Sequence, residues 1–228
     1  MKTMSALSVA AAMLVITPLA AADSVLFSQP AGSDVLGSGA SSSTNTARLA
    51  DNFTLGSDAT VNSVRFWGSS INGTGSAFGD IVSFTIEFFE LDGMADSPGT
   101  SIGGPITVNV GEVGLVSSPF GSNGVFQYDL SLASGVALTG NVGYAFSVAA
   151  TLNTQATSNS WVWQYAAAAD NTAFIENSTN TWDDLTGNDF AFELYGIDAT
   201  VIPLPPAAWI GLATLAVMIP LRRRASKQ

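Results

Sequence analysis

The chain has 228 residues, of which 47% are hydrophobic, 10% aromatic and 11% charged, and it has neither cysteine nor histidine. These absences exclude disulfide bonds, thiolate nucleophiles, Ser-His-Asp triads and zinc sites built on Cys or His ligands. The low charge and the aromatic content argue against a disordered chain. The length fits one or two domains.

The charged residues are unevenly distributed. All 18 acidic residues lie between Asp23 and Asp198, whereas only two basic residues, Arg48 and Arg65, lie in residues 23–201. This segment, called the body below, therefore has a net charge of −16. Such a surface repels polyphosphate, so no nucleic-acid partner is expected. It suits solubility outside a cell and weak binding of divalent cations.

Residues 1–22 have the three parts of a secretory signal peptide. Lys2 gives a positive start, residues 6–16 form an apolar run, and small residues including Ala20 and Ala22 offer a cleavage site before the body. The alternative is an N-terminal membrane anchor. The short apolar run and the small residues that follow it favour cleavage and export.

Apolar and polar residues alternate repeatedly along the body, which predicts half-buried strands. The core-facing sets are Phe53 and Leu55; Val64 and Phe66; Phe84, Ile86 and Phe88; Phe126, Tyr128 and Leu130; Tyr144, Phe146 and Val148; Trp161, Trp163 and Tyr165; and Phe190, Phe192 and Leu194. Gly- and Pro-containing turn formers separate the sets. Eight to ten strands in one domain predict an all-β fold, an antiparallel β-sandwich of the jelly-roll type. Residues 32–46 are predicted to be a loop or mobile arm.

The C-terminal residues 202–228 form a tail with three parts. In order, these are the Pro203-Leu204-Pro205 motif, an apolar run over residues 207–221, and the cluster Arg222-Arg223-Arg224. As a helix the 15-residue run would span about 22 Å, against about 30 Å of hydrocarbon in a bilayer. The arginines would stay on the cytoplasmic side, leaving the acidic body outside.

The tail, IPLPPAAWIGLATLAVMIPLRRR over residues 202–224, resembles the PEP-CTERM class of bacterial sorting signals in its VPLPA-type variant. Ile202 stands where that variant has Val, and Pro206 stands where it has Ala. The resemblance implies a substrate of an exosortase-type membrane enzyme in a Gram-negative bacterium that makes exopolysaccharide. An ordinary tail anchor is the alternative, with the same topology.

The body loosely resembles exported β-sandwich domains of unassigned function that occur with such tails. The matching stretches are ADNFTL (50–55), VNSVRFWG (61–68), FTIEFFELDG (84–93), SPGT (97–100) and DFAFELYG (189–196). These stretches are mostly strand alternation. The resemblance therefore implies a fold and no activity.

Tryptophans are the first candidates for ligand binding, because indole rings stack on sugar rings. Trp161 and Trp163 share one strand face with Tyr165, which suits either a binding platform or a sandwich core. Trp67 and Trp182 lie near the predicted strand ends, where exposure is expected. They are the better candidates for a glycan site at the rim.

Carboxylates are the second candidates. A glycosidase needs a pair about 5 to 9 Å apart, and Glu87 with Glu90, Asp183 with Asp184, and Glu193 are available. No motif links any pair. Glu87 and Glu193 lie opposite apolar neighbours, which predicts an outward, solvated face and no catalytic role.

Calcium is the one cofactor that the sequence suggests, because sandwich loops can hold this ion with carboxylate and carbonyl oxygens. Asp183, Asp184 and Asp189 form the densest group of oxygen ligands, and Asp51 would join if the first and last strands pair. An exposed turn without metal is the alternative.

Together these features predict an exported protein that is first anchored in the inner membrane through residues 207–221 and then lies at the cell surface or outside the cell. Its expected role is structural or adhesive, within an exopolysaccharide layer, and not enzymatic. A carbohydrate-binding module for exopolysaccharide is the main alternative. A glycan hydrolase is the third.

Overall fold

Strands alternate with turns in the described part of the computed structural model, as the sequence pattern predicts. The structure describes residues 23–32, 39–43, 47–70, 81–93, 96–120, 124–153, 161–167, 172–177 and 181–199. The predicted signal peptide (residues 1–22) and sorting tail (residues 202–228) lie outside these ranges. Within them, no helix has the length and apolar character that crossing a membrane requires.

The described residues form thirteen strands, more than the eight to ten predicted. They are β1 (Ser24–Gln29), β2 (Gly39–Ser41), β3 (Leu49–Thr54), β4 (Ala59–Ser70), β5 (Ile81–Asp92), β6 (Ser97–Asn109), β7 (Leu115–Phe120), β8 (Val125–Leu138), β9 (Gly143–Leu152), β10 (Trp161–Gln164), β11 (Thr172–Glu176), β12 (Trp182–Thr186) and β13 (Phe192–Asp198). One of them, β2, lies inside the segment predicted as a loop.

The strands form two sheets, and the ladders between them are antiparallel. The seven-stranded sheet is built around β4, which pairs with β8 along one edge and with β13 and then β10 along the other. β1 pairs with the outer edge of β13, β2 with that of β10, and β7 with that of β8. The six-stranded sheet has the order β12-β11-β3-β9-β5-β6. The fold is thus an all-β, antiparallel β-sandwich, as predicted.

Aromatic side chains fill the space between the sheets. Phe66 of the seven-stranded sheet lies 5.1 Å, centroid to centroid, from Phe84 of the six-stranded sheet. Phe146 and Phe192 make a second cross-sheet contact at 5.0 Å. The predicted core-facing sets are buried, apart from Tyr165, which is partly exposed. Period-2 alternation therefore identified the core correctly.

A buried carboxylate also joins the two sheets. Asp51 of β3 is fully buried on the core side, and its Oδ2 accepts hydrogen bonds from Gln29 Nε2 of β1 at 2.8 Å and from the backbone N–H of Phe190. Its Oδ1 accepts from the backbone N–H of Asn52 at 2.8 Å. A buried carboxylate is tolerated only when its oxygens are bonded in this way. Asp51 therefore fixes the position of β1 and of the residues before β13 against β3.

The six-stranded sheet is rolled, so that its face pointing away from the core is concave. Five spacings of about 4.8 Å would separate its edge strands by about 24 Å if it were flat. Instead, Cα atoms of β12 and β6 approach within 8 Å. Small, buried side chains at the centre of this concave face, Ala50, Ala145 and Ser147, leave room for the curvature. The concave face therefore becomes a second enclosed region.

Gly68 of β4 lies against the indole ring of Trp161 on the neighbouring strand β10. A Cβ atom at position 68 would lie 2.3–2.5 Å from three atoms of that ring. Trp161 is itself fully buried and contacts Phe66 and Phe84. The ring therefore cannot move aside without disturbing the cross-sheet aromatic contacts.

We expect Gly68→Ala to lower the free energy of unfolding by about 1–3 kcal/mol, the usual cost of overpacking a core. Gly56→Ala is the matched control, because a Cβ there meets no atom within 4 Å. Urea unfolding followed by tryptophan fluorescence measures both. Equal midpoints for the two variants would contradict the contact.

Candidate functional site

Two of the four predicted ligand-binding tryptophans belong to the core. Trp161 and Trp163 are fully buried, and Trp163 stacks on Phe190 at 4.8 Å while its Nε1 donates to the carbonyl of Ala191 at 2.9 Å. A fully buried indole cannot stack on a sugar. The core interpretation of this strand face is therefore correct, and the platform interpretation is wrong.

Trp67, predicted at an exposed rim, is also buried. It lies on the outer face of β4, but only 3% of its surface is exposed. Its ring contacts Phe120 at 5.8 Å, and Ala31, Val125 and Ala191 complete a small apolar cluster around it. The prediction failed because neighbouring segments of the chain cover this part of the outer face.

Trp182, the fourth candidate, is partly exposed and begins the edge strand β12. Its ring meets Phe89 of β5 edge-on at 5.5 Å, although three strands separate β12 from β5 in the sheet. Arg48 lies beside both rings, with its Cζ 5.5 Å from the centroid of Trp182 and 5.9 Å from that of Phe89. Rolling of the sheet thus brings an indole, a phenyl ring and a guanidinium together.

Arg48 holds two carboxylates in the same region. Its Nε and Nη2 donate to Glu176 at 2.5 and 2.8 Å in a bidentate pair, and its Nη1 donates to Glu87 at 2.6 Å. Ser101 donates to the other oxygen of Glu87 at 2.5 Å. The hydrogen bonds to Glu176, followed by those to Glu87, raise the pKa of Arg48 although burial opposes the shift. We call Arg48, Glu87, Glu176 and Trp182 the Arg48 cluster.

The environment of Glu87 differs from the prediction. It was expected on a solvated face, but only 7% of its surface is exposed, because the rolled sheet encloses it. Glu90, its suggested catalytic partner, is exposed. Arg48 binds both Glu87 and Glu176, so the two carboxylates are ion-pair partners of one guanidinium.

Arg65, the other basic residue of the body, lies on the outer face of the seven-stranded sheet. Its Nε donates to Asp129 at 2.6 Å, and its Nη1 donates to the Tyr195 hydroxyl at 2.7 Å and to Glu193 at 3.3 Å. The Tyr195 hydroxyl donates in turn to Glu193, and the guanidinium Cζ lies 5.1 Å from the centre of the Tyr195 ring. We call these four residues the Arg65 cluster.

Glu193 is thus an ion-pair partner and not an isolated solvated side chain. Its other oxygen accepts from Ser28 of β1 at 2.8 Å, and Gln127 donates to Asp129 at 2.8 Å. Burial, and then the hydrogen bond and repulsion from Glu193, raise the pKa of Tyr195 to about 12. The phenol is therefore held neutral, as a bridge between Arg65 and Glu193.

The three carboxylates predicted to bind calcium are not brought together. Asp183 and Asp184 are consecutive on β12, so their side chains point to opposite faces of the sheet. Asp189 is buried, and its Oδ1 accepts from the backbone N–H of Thr172 at 3.2 Å. In the parts of the chain that the structure describes, no group of three or more acidic residues is placed to hold a metal ion.

Sequence reasoning did not select Arg48, Arg65 or Tyr195. One signal was available, since the two arginines are the only cations among 18 acidic residues of the body. Comparison with protein-family models, curated proteins and solved structures finds no match for this chain. Function is therefore inferred from the chain's own motifs and from the two arginine clusters.

We expect the Tyr195 phenol to titrate near pH 12, and Glu193→Gln to move its midpoint toward the ordinary value of 10.0. Because the pKa of Tyr195 is higher in the folded state than in the unfolded chain, its neutral phenol contributes to the free energy of unfolding. That contribution is fully present below pH 10 and is lost as the pH rises from about 10 to about 12. Tyrosinate absorbance, with Tyr195→Phe subtracted, measures the midpoint. Glu90→Gln, on an exposed carboxylate, is the control; an equal shift there would contradict the contact.

Proposed function

We propose that this chain is an exported bacterial protein of the cell surface or extracellular matrix, with a structural or adhesive role. The observation that carries the proposal is the order of the tail: a Pro-Leu-Pro motif at 203–205, an apolar run at 207–221 and three arginines at 222–224. An N-terminal run with the pattern of a signal peptide supports the same direction of export. In the sequence, the acidic body (residues 23–201) comes between these two segments.

In this proposal the signal peptide is removed after Ala22, and the apolar run anchors the precursor in the inner membrane. The arginine cluster stays in the cytoplasm. An exosortase-type enzyme then processes the tail near Pro203–Pro206 and releases or transfers the body. The partners are therefore the membrane, the processing enzyme and an exopolysaccharide layer.

The geometry of the body supports a non-catalytic role. In each arginine cluster two carboxylates are bound to one guanidinium, so all four carboxylates already serve as ion-pair partners. We also propose that the sandwich is of the jelly-roll type. Its support is the path of the chain, which crosses from one sheet to the other at β2–β3, β3–β4, β4–β5, β6–β7, β8–β9, β9–β10, β10–β11 and β12–β13.

The intact mass of the native protein, taken separately from membranes and medium of its source cells, tests the sorting proposal. We expect loss of residues 1–22 and a new C-terminus near residues 203–206, with added mass if an anchor or glycan is transferred. Substitution of Arg222, Arg223 and Arg224 by Gln should leave a longer, membrane-bound form. A mature wild-type protein that still ends at Gln228 would contradict the proposal.

A carbohydrate-binding module is the second candidate, and the partly exposed ring of Trp182 favours it. This ring lies on the edge strand β12 of the rolled sheet, next to the guanidinium of Arg48 and the carboxylate of Glu176. An aromatic face beside charged hydrogen-bonding groups is a common arrangement for a sugar site. Trp182 is the one sequence-predicted tryptophan whose exposure is compatible with stacking.

If this second candidate is correct, Trp182→Ala abolishes retention on the exopolysaccharide of the source cells without unfolding the chain. Phe120→Ala is a matched control, because it removes another partly buried ring, on the other sheet. Affinity electrophoresis measures retention, and fluorescence of the remaining tryptophans reports folding. Equal retention of Trp182→Ala and the wild type would rule out this site.

A further inference from the structure

The outer face of the seven-stranded sheet presents two adjoining rows of polar side chains. In one row, Ser63 of β4 pairs with Tyr195 of β13 on one side and with Ser131 of β8 on the other. In the next row, Arg65 pairs with Glu193 and Asp129 on the same two strands. Because residues two apart share a strand face, all six side chains point to the same side.

A shallow depression of about 160 Å³ lies between the two rows. Ser63, Arg65, Asp129, Ser131 and Tyr195 supply its polar lining. Because liquid water occupies about 30 Å³ per molecule, the volume corresponds to about five waters. The depression is open to solvent and is lined by residues of β4, β8 and β13, so it fits one small, polar unit.

Several hydrogen-bonding groups of this lining are unused. The Ser63 and Ser131 hydroxyls and the Arg65 Nη2 group have no hydrogen-bond partner in the part of the chain that the structure describes. The Asp129 carboxylate, whose side chain is 38% exposed, retains acceptor capacity beyond its bonds to Arg65 and Gln127. Donors and acceptors therefore alternate within one small patch.

We propose that this depression binds one unit of a neutral saccharide. Neighbouring sugar hydroxyls each donate and accept a hydrogen bond, so they can donate to Asp129 while they accept from Arg65 and the two serines. Arg65 is held in place by Asp129, Tyr195 and Glu193, so binding does not require its long side chain to be ordered first. The inference rests on the adhesive role proposed above and gives it a site that is separate from Trp182.

Charge decides between classes of saccharide. The Arg65 cluster has one cation and two carboxylates, and the body around it has a net charge of −16. A uronic-acid or sulfated polymer would be repelled during approach and would compete with Asp129 and Glu193 for the single guanidinium. A cationic ligand would be repelled by the Arg65 guanidinium, which lines the same depression. An uncharged polyhydroxylated chain meets neither obstacle.

The test is saturation-transfer NMR on the full chain, exported from a Gram-negative host and purified in detergent. The probes are three neutral hexasaccharides (cellohexaose, laminarihexaose and mannohexaose) and one acidic hexasaccharide, hexagalacturonate. Ser131→Tyr fills the depression, and Ser118→Tyr is the matched control, on the same sheet face but outside the lining. The double variant S63A/S131A removes the unused hydroxyls with little change in shape.

We expect at least one neutral probe to bind, Ser131→Tyr to lose binding more than tenfold, and Ser118→Tyr to bind as the wild type does. The double alanine variant should bind roughly tenfold more weakly, for two lost hydrogen bonds. The proposal is overturned if no neutral probe binds, if the two tyrosine variants behave alike, or if hexagalacturonate binds as tightly. Intact mass of the native protein from its source cells tests tail processing separately, so failure of the site and failure of the sorting proposal are distinguishable.

Discussion

Rolling of the six-stranded sheet is the constraint on which the rest of the molecule depends. It requires small side chains at the centre of the concave face, and Ala50, Ala145 and Ser147 meet this need while the opposite face of the same strands supplies Phe53 and Phe146 to the main core. One consequence is that Phe89 and Phe174 are buried although they point away from the sandwich interior. Another is that β6 and β12, which would otherwise be distant exposed edges, approach each other. Exposed edges are where sheets pair with other chains, so the roll protects two of them at once.

The scarcity of cations is the second constraint, and the fold uses its two arginines in the same way on opposite sides of the sandwich. Arg48 and Arg65 each bind two carboxylates, and each guanidinium lies beside an aromatic ring. In a body with a net charge of −16, each of these guanidinium groups brings two carboxylates close to one another. Arginine suits the task better than lysine, because its planar group binds several acceptors in fixed directions.

Much of the fold could be predicted from the sequence, because period-2 alternation states which side of a strand is apolar. It identified Phe84, Phe146 and Phe192 as core residues and implied two facing sheets. Alternation does not state whether the opposite side of the strand is covered. Trp67 and Glu87 were therefore expected to be exposed, whereas an apolar cluster that includes Phe120 and Val125 buries Trp67 and the roll buries Glu87. The Arg65 cluster was missed for a related reason, since its residues come from three strands far apart in sequence, and register alone aligns them.

The two outer faces consequently have different chemical properties. On the six-stranded sheet, curvature has filled the concave face with Phe89, Phe174 and Trp182, and Arg48 binds Glu87 and Glu176 within it. On the seven-stranded sheet, Arg65 binds Asp129 and Glu193 on an open face and keeps one arm of its guanidinium unused. A ligand at the first face would stack on the exposed part of the Trp182 ring, beside contacts that stabilise the roll, whereas a ligand at the second would add hydrogen bonds to a cluster that is already ordered. For the delivery to a polysaccharide-rich surface that we propose from the tail, the open face is the one with unused hydrogen-bonding groups.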